Sequence, residues 1–236
     1  MKTALIEYHD GDTLLEGFLA HDGSTGRKPA VLIAHAWGGR SEFECSKARE
    51  LAQMGYVGFA IDNYGKGVFG QTMEENQALM TPFIQDRAML RTRLLAGLDA
   101  LGKLDMVDNN RIAAIGYCFG GLCVLDLARS GADIKGVVSF HGLFDAPGNL
   151  DNEKITAKVM ALHGHDDPMV PPESVLSLET EMTGAGVDWQ IHAYGNTSHA
   201  FTNPQANMPE NGMAYNPDAD RRSWAAMKFF LEELFF

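Results

Sequence analysis

The sequence predicts an α/β fold, in which a mostly parallel central sheet carries helices on both faces. Two observations indicate this. Runs such as "AVLIAHAW" (30–37) and "YVGFAID" (56–62) have the length and continuous hydrophobicity of strands buried on both faces. Helical patterns lie between such runs, and this alternation is typical of parallel strands joined by crossover helices. The 236 residues, 45% of them hydrophobic, are predicted to form one domain, 1–236, around one sizeable core.

The first 22 residues are predicted to form an antiparallel β-hairpin. The segments "TALIEY" and "TLLEGFLA" flank "HDGD", in which Asp10-Gly11 is a favourable turn pair. A helix, "SEFECSKARELAQMG", follows the first buried strand. Ser41 is its candidate N-cap, with Glu44 three residues later and Gly55 at the C-terminal end.

The second half of the chain continues the alternation. A helix is predicted from about Asp86 to Leu104, because leucines recur there at helical spacing. There follow the strand "RIAAIGY", the helix "FGGLCVLDLARSG", the strands "GVVSFHG" and "KVMALHGHDD", the helix "PPESVLSLETEMTGAG", the strand "DWQIHAYGN" and the helix "DRRSWAAMKFFLEELFF". The stretch from Thr202 to Asp218 is rich in Asn and Pro and too long for a plain connector, so we expect a functional loop there.

The net charge and the number of cysteines limit which partners the protein can bind and in which cellular compartment it is expected. With 31 acidic and 19 basic residues the net charge is −12, which disfavours nucleic acid and anionic membrane surfaces. An anionic substrate would need a local cationic pocket. Three cysteines without disulfide spacing favour a reducing compartment. No signal-peptide pattern or long apolar stretch is present, so we expect a soluble cytoplasmic protein, either a monomer or a small homo-oligomer.

The segment "GYCFGG" (116–121) places Cys118 where a strand meets a helix. A nucleophile elbow needs small residues two positions before and after the nucleophile, because larger side chains would clash in the tight turn. Gly116 and Gly120 meet this requirement. A helix N-terminus at this point would favour the thiolate. The same pattern is also compatible with a buried structural cysteine, so the decision depends on partner residues.

Candidate partners follow in the chain order nucleophile, acid, histidine. Asp166 and Asp167 come after a buried strand, and His199 lies in the loop after the last strand. Asp167 is preferred because Pro168 follows it and a turn there would aim it inward, whereas Asp166 could cap or stay solvated. Each residue alone is an ordinary turn or loop residue. Together they predict a triad with Cys118 at one edge of the sheet.

Two backbone amides are candidates for an oxyanion hole. Phe119 follows the nucleophile, and Trp37 lies just after the first buried strand, although Trp37 could also be a core or rim aromatic. The following Gly38-Gly39 pair would let the backbone approach a substrate carbonyl closely.

Four polar residues are weaker candidates for the pocket. Tyr64 and Lys66, in "DNYGKG", could line it, and Tyr64 is a candidate substrate contact. Arg87 and Arg91 are expected to be solvated surface residues.

The sequence resembles the dienelactone hydrolase family within the α/β-hydrolase superfamily. The resemblance covers nearly the whole chain and rests on "GYCFGG", "GHDDPMVP", "SHAFTNP" and the "IDNYGKG" loop after the fourth strand. It implies an α/β-hydrolase fold and hydrolysis of carboxylic esters or lactones through an acyl-enzyme, with no cofactor and no metal. Carried onto this sequence, the family's triad is Cys118, His199 and Asp167.

Two positions depart from the family pattern. The family's glutamate that interacts with the resting cysteine corresponds to Ala36, and His35, Glu42 or Glu44 could replace it. The family's arginine a few residues past the histidine, which holds the substrate carboxylate, corresponds to Asn203. A neutral ester or lactone is therefore at least as plausible a substrate as dienelactone, with Asn203 as a candidate contact.

Two other functions remain open at this stage. "HGHDD" (163–167) is a dense cluster of possible metal ligands, although no helical H-E-x-x-H motif accompanies it, so a metal-dependent hydrolase is one alternative. A ligand-binding protein that kept the fold and lost the chemistry is the other. A catalytic Cys118 would react below the ordinary thiol pKa, whereas Cys45 and Cys123 would not.

Overall fold

The computed structural model describes residues 1–150 and 154–236, and its centre is an eight-stranded sheet. The strand order is β1-β2-β4-β3-β5-β6-β7-β8; β1 and β2 are antiparallel, β2 is antiparallel to β4, and the pairs from β4 to β8 are parallel. The predicted α/β fold with an N-terminal antiparallel hairpin is confirmed. The strands are β1 (Lys2–Asp10), β2 (Thr13–His21), β3 (Lys28–Ala34), β4 (Val57–Ala60), β5 (Val107–Tyr117), β6 (Gly136–Phe140), β7 (Lys158–Gly164) and β8 (Trp189–Tyr194).

Helices cover both faces of the sheet. Side chains of α1 and α6 pack in one core cluster, and those of α3, α4 and α5 pack in the other. Alternate residues of β3 enter different clusters, Leu32 one and Ile33 the other, which explains why the strand is apolar throughout. The helices are α1 (Glu42–Gln53), α2 (Met73–Gln85), α3 (Arg87–Gly102), α4 (Phe119–Arg129), α5 (Pro172–Gly184) and α6 (Pro217–Phe235).

Local signals in the sequence account for the start of the sheet and of α1. The β1–β2 pairing leaves Gly11-Asp12 as the two-residue turn, one position later than predicted, and Gly11 has φ 56°. Ser41 caps α1 in a capping box with Glu44, as expected. Helix α1 therefore begins where the local chemistry of the chain predicts.

Helix α2 was not predicted from the sequence. Phe83 is its one buried residue, so the segment lacks the apolar stripe by which a helix is recognised. Its N-terminus is nevertheless a capping box formed by Thr72 and Glu75. The long loop from Thr202 also contains two short antiparallel strands, β9 (Asn207–Met208) and β10 (Met213–Ala214), before α6 begins.

The expectation that Arg87 and Arg91 are solvated was wrong. Arg87 is 4% exposed, and its guanidinium binds the Asp126 carboxylate at 2.6 and 2.7 Å. Arg91 is half-buried and donates to the Ser130 carbonyl at 3.0 Å. The partners lie 39 positions away and meet because α3 packs beside α4, which the local sequence does not show. Within the described ranges, no helix is long and apolar enough to cross a membrane.

Candidate active site

Cys118 occupies a sharp turn between β5 and α4. Its backbone has φ 57° and ψ −117°, a conformation that is strained for any residue other than glycine. A side chain at Gly116 would overlap the carbonyl oxygen of Gly120, and one at Gly120 would overlap the carbonyl oxygen of Ala34 in β3. The two glycines are thus required by backbone packing, and they hold the thiol at the N-terminus of α4.

The sulfur of Cys118 lies among groups that stabilise negative charge. Burial raises the pKa of this thiol, but the charge and hydrogen bond of His199 and the backbone amides of Phe119 and Trp37 outweigh burial, so the pKa is lowered. The two amides predicted as oxyanion donors therefore converge on the sulfur. These groups favour the thiolate of Cys118 more than the surroundings of a free cysteine do.

His199 and Asp167 form a buried pair beside this sulfur. They are 1% and 3% exposed, and Nδ1 of His199 lies 2.7 Å from Oδ2 of Asp167. Burial lowers the pKa of His199, but the Cys118 thiolate and the Asp167 carboxylate outweigh it and raise that pKa to about 10. The other oxygen of Asp167 accepts the amide of Met169 at 2.9 Å, which orients the carboxylate. The arrangement favours a thiolate–imidazolium pair that titrates as a unit.

The Nε2 atom of His199 is the nitrogen available to the sulfur. It is buried and has no hydrogen bond of regular geometry to any residue of the described ranges. The ring and the sulfur shift each other's pKa, although their contact does not meet the geometry of a regular hydrogen bond. Such contacts are common in unliganded sites and tighten when a substrate binds.

His141, which follows β6, is a site residue that the sequence analysis missed. Its Nδ1 accepts the Cys118 amide at 3.2 Å, so its Nε2 donates to Oγ1 of Thr202 at 2.8 Å. Burial and the nearby His199 charge lower its pKa well below the ordinary value, which keeps the ring neutral. The signal in the sequence was a histidine placed directly after a buried strand, at the same sheet edge as Cys118.

A cavity of about 700 Å³ lies over Cys118 and His199. Its wall is mainly apolar and combines residues of α2, of the loop after β3 and of the long loop after β8. Among the described residues that line it, Arg40 is the one lysine or arginine, and Glu16 compensates its charge through a carboxylate contact of 3.1 Å. Its larger apolar side chains are Trp37, Phe43, Phe69, Met80, Leu143, Met169, Met208 and Met213.

Some of the other residues predicted to contact substrate line this cavity, and others do not. Asn203 lines it, together with Gly38 and Gly39. Tyr64 lies behind the wall, where its hydroxyl donates to the Trp37 carbonyl at 2.8 Å. Lys66 is exposed and pairs with Glu7 on β1.

The residues considered as replacements for the family's glutamate also differ in position and in hydrogen-bond partners. Ala36 and the buried Glu44 both line the cavity. Glu42 is exposed and pairs with Arg49. His35 is fully buried and bonds to the backbone on both sides.

The side chains of the "HGHDD" segment do not converge on a common point, as the ligands of a metal site would. His163 is buried, His165 and Asp166 are exposed, and Asp167 is committed to His199. In 1–150 and 154–236, no group of three or more His, Cys, Asp or Glu side chains is arranged to hold a metal ion.

Comparisons with known proteins agree with the fold. The family model "Dienelactone hydrolase family" matches residues 15–235. The solved structure m3DLH is 37% identical with a TM-score of 0.95, over 100% of this chain and 99% of that chain. A dienelactone hydrolase-like promiscuous phosphotriesterase from metagenomic libraries is 35% identical with a TM-score of 0.93, over the same shares. An uncharacterized protein of Caenorhabditis elegans is 36% identical over 149 residues, which are 62% of this chain and 94% of that protein.

The family match spans nearly the whole chain and includes the elbow, the aspartate turn and the histidine loop. The chain therefore belongs to the dienelactone hydrolase family and is a hydrolase of the α/β-hydrolase superfamily.

Proposed function

We propose that this protein hydrolyses uncharged carboxylic esters or lactones, with Cys118 as nucleophile, His199 as general acid and base, and Asp167 as the group that orients His199. The observation that carries the proposal is the convergence on one sulfur of a buried His–Asp pair and two backbone amides. A structural cysteine would need none of these groups. The lowered pKa of the Cys118 thiol supports a nucleophilic role.

In the first half-reaction, the Cys118 thiolate attacks the carbonyl carbon, and the C=O electron pair moves to oxygen. The amides of Phe119 and Trp37 stabilise this oxyanion. When the intermediate collapses, the C–O bond to the leaving group breaks, and the His199 imidazolium gives that oxygen its proton. The products are an alcohol and a thioester on Cys118.

In the second half-reaction, neutral His199 takes a proton from water as the water oxygen attacks the thioester. Collapse of the second tetrahedral intermediate breaks the C–S bond and restores the thiolate, which pairs again with the imidazolium. The carboxylic acid product leaves, and the sum is the addition of one water to the ester bond. Asp167 remains the acceptor of the Nδ1–H of His199 throughout and so keeps that nitrogen protonated.

The cavity supports an uncharged, apolar substrate. Arg40 already binds the carboxylate of Glu16 and its carbonyl, at 3.1 and 3.0 Å, so little positive charge remains for a substrate carboxylate. The buried Glu44 on the same wall adds a negative group that a second carboxylate would have to approach. Four methionines in the wall make it adaptable to substrates of different shape.

The test compares 4-nitrophenyl butyrate with mono-4-nitrophenyl succinate, which carries a carboxylate at the far end of the acyl chain. We expect Cys118→Ala to lose at least about 10³-fold in kcat on the neutral ester, as other enzymes do without their nucleophile. Cys45→Ala, which removes a buried cysteine, serves as the matched control and should stay within a few-fold of wild type. Circular dichroism would verify that both variants fold.

Three outcomes would contradict parts of this proposal. Turnover retained in folded Cys118→Ala would rule out the cysteine mechanism, and absence of turnover in wild type on every ester and lactone would favour a ligand-binding protein. Preference for the succinate ester would overturn the choice of uncharged substrates and favour an anionic lactone.

Uncharged phosphotriesters are a second candidate substrate class. The metagenomic neighbour named as a promiscuous phosphotriesterase matches this chain over its full length, and a triester carries no charge for the apolar wall to reject. The thiolate would attack phosphorus and expel the leaving group's oxygen, and water would then hydrolyse the S–P bond. Paraoxon turnover that disappears in Cys118→Ala would support this activity, and no turnover in wild type would exclude it.

A further inference from the structure

We infer that His35, assisted by Tyr64 and Glu44, is a positioning residue that aims the Trp37 amide into the oxyanion hole. This inference rests on the proposed function, because it assigns a role in the same reaction. None of the three side chains needs to touch the substrate for this role. Each one binds the backbone of the loop that follows β3.

The peptide unit between Ala36 and Trp37 is the one that matters. Its N–H, which belongs to Trp37, helps to lower the pKa of Cys118, and its carbonyl oxygen belongs to Ala36. Nδ1 of His35 lies 2.7 Å from that oxygen, which also accepts the Gly39 amide at 3.1 Å. Because the C=O and N–H of a trans peptide point in opposite directions, holding the oxygen also fixes where the N–H points.

The hydrogen bonds of His35 determine its tautomer. The Asn63 amide donates to Nε2 of His35 at 3.1 Å, so the ring proton is on Nδ1 and faces the Ala36 carbonyl. Burial is the main cause that lowers the pKa of His35, which keeps the ring neutral while Nε2 accepts. A neutral ring with both nitrogens committed to backbone is a rigid support for the loop.

The neighbouring peptide units are held in the same way. Before the Trp37 peptide, the Ala36 amide donates to Oε1 of Glu44 at 3.3 Å, while Oε2 of Glu44 accepts from Ser41 in the capping box. After it, the Tyr64 hydroxyl donates to the Trp37 carbonyl at 2.8 Å. Three consecutive peptide units are therefore held by side chains from β3 and its following loop, α1, and the loop after β4.

The same side chains connect the two halves of the oxyanion hole. The rings of His35 and Tyr64 meet edge to face, with centroids 4.7 Å apart, and Tyr64 stacks on Phe119 at 6.1 Å. Phe119 supplies the second amide donor. A displacement of His35 or Tyr64 would thus disturb the relative position of both donors.

These contacts also show what His35 and Glu44 do in place of the family's glutamate. Their hydrogen bonds join them to Ala36 and Ser41, on the loop, and to the Asn63 amide, and none of them goes to the sulfur. In this chain the thiolate is stabilised by amides whose direction these side chains control.

The first test replaces His35 by two amides. Asn can place its side-chain N–H near the position of Nδ1, whereas Gln reaches the position of Nε2, so His35→Asn keeps the bond to Ala36 and His35→Gln loses it. We expect His35→Gln to lose about 10- to 100-fold in kcat with KM within about threefold, less than the 10²–10³ of a deleted donor. His35→Asn should retain most of the activity.

The second readout is independent of turnover. The Trp37 amide also stabilises the resting thiolate, so misaiming it should raise the pKa of Cys118, measured from the pH dependence of alkylation by iodoacetamide. We expect a rise in His35→Gln and a smaller one in His35→Asn. Equal kcat and an unchanged thiol pKa in both folded variants would overturn the proposal.

Tyr64→Phe tests the Tyr64 side chain in the same way, because it removes only the hydroxyl that binds the Trp37 carbonyl. Tyr8→Phe is its matched control. Tyr8 is also buried, and its hydroxyl contacts backbone groups of Asp62 at 2.9 Å, away from the loop after β3. Both variants should lose stability, but only Tyr64→Phe should lower kcat and raise the thiol pKa. Equal changes in kcat and in the thiol pKa of the two variants would mean that Tyr64 has only a structural role.

The two proposals fail separately. Turnover surviving in Cys118→Ala would end the cysteine mechanism, while the alkylation data would still report whether His35 and Tyr64 aim the Trp37 amide at the sulfur.

Discussion

The two amides that converge on Cys118 are held in opposite ways. Phe119 sits at the start of α4, where glycine contacts with β5 and β3 leave the backbone one available path. Trp37 lies in an irregular loop, where side chains from three places in the chain hold successive peptide units. One half of the proposed oxyanion hole is held by backbone packing and the other by side-chain hydrogen bonds.

The two kinds of support make the two halves vulnerable to different substitutions. Backbone packing at the elbow tolerates no added atom, so a single substitution there should remove most of the stability. A loop held by several hydrogen bonds loses about 0.5–1.5 kcal/mol of stability with each one, so it should degrade in steps. The predictions below probe this contrast.

Gly120→Ala should have the largest effect. Its methyl group would overlap the Ala34 carbonyl oxygen, and backbone atoms cannot yield as a flexible side chain can. We expect a loss of at least about 3 kcal/mol in the free energy of unfolding, or no folded protein. In Gly38→Ala the new methyl would meet only the Asn76 side chain at 3.4 Å, so stability should change by less than about 1 kcal/mol. Urea unfolding measures both, and similar losses would erase the contrast.

Asp167→Asn should have the second largest effect, because it removes the carboxylate that stabilises the His199 imidazolium. We expect kcat/KM to fall roughly 10²- to 10⁴-fold. Asp167 helps to raise the pKa of His199, so its loss should move the alkaline limb of the pH–rate profile down from about 10. A less charged ring should also let the pKa of Cys118 rise.

The matched control for that prediction is Asp166→Asn. Asp166 occupies the same turn but is exposed, and it should remain within about twofold of wild type in kcat/KM. Equal losses in the two variants would mean that the turn, and not the bond to His199, matters.

Thr202→Val should have the smallest effect. It removes the acceptor of His141, whose other nitrogen accepts the Cys118 amide, and leaves a buried N–H without its partner. We expect a loss of about 1–3 kcal/mol in stability and less than a tenfold loss in kcat. Thr202→Ser keeps the hydroxyl and should restore both quantities. A larger kcat loss would show that the elbow also depends on side chains.

Local patterns in the sequence were sufficient for the elbow. Glycines at 116 and 120 around Cys118, after a buried apolar run, predict the turn, because the constraint acts between residues a few positions apart. The order of Asp167 and His199 after strands likewise predicts one sheet edge. The capping box of α1 is another local signal, and it too lies where it was predicted.

Other features were invisible in the sequence for a physical reason. Helix α2 buries one side chain and has no apolar stripe. Arg87 became a buried partner of Asp126 only when α3 packed beside α4. His141 and Tyr64 acquired their roles from hydrogen bonds to backbone groups 23 and 27 positions away. Their residue types alone do not distinguish these roles from ordinary loop or core positions.

The alternation of strands and helices and the glycine elbow around Cys118 follow from hydrophobic period and from clashes between near neighbours, so both can be predicted from the amino-acid sequence. The side chains that hold the Trp37 amide and compensate Arg40 are known only from the folded chain. They act through hydrogen bonds and charges between distant segments, and such contacts exist only once the sheet has brought the segments together.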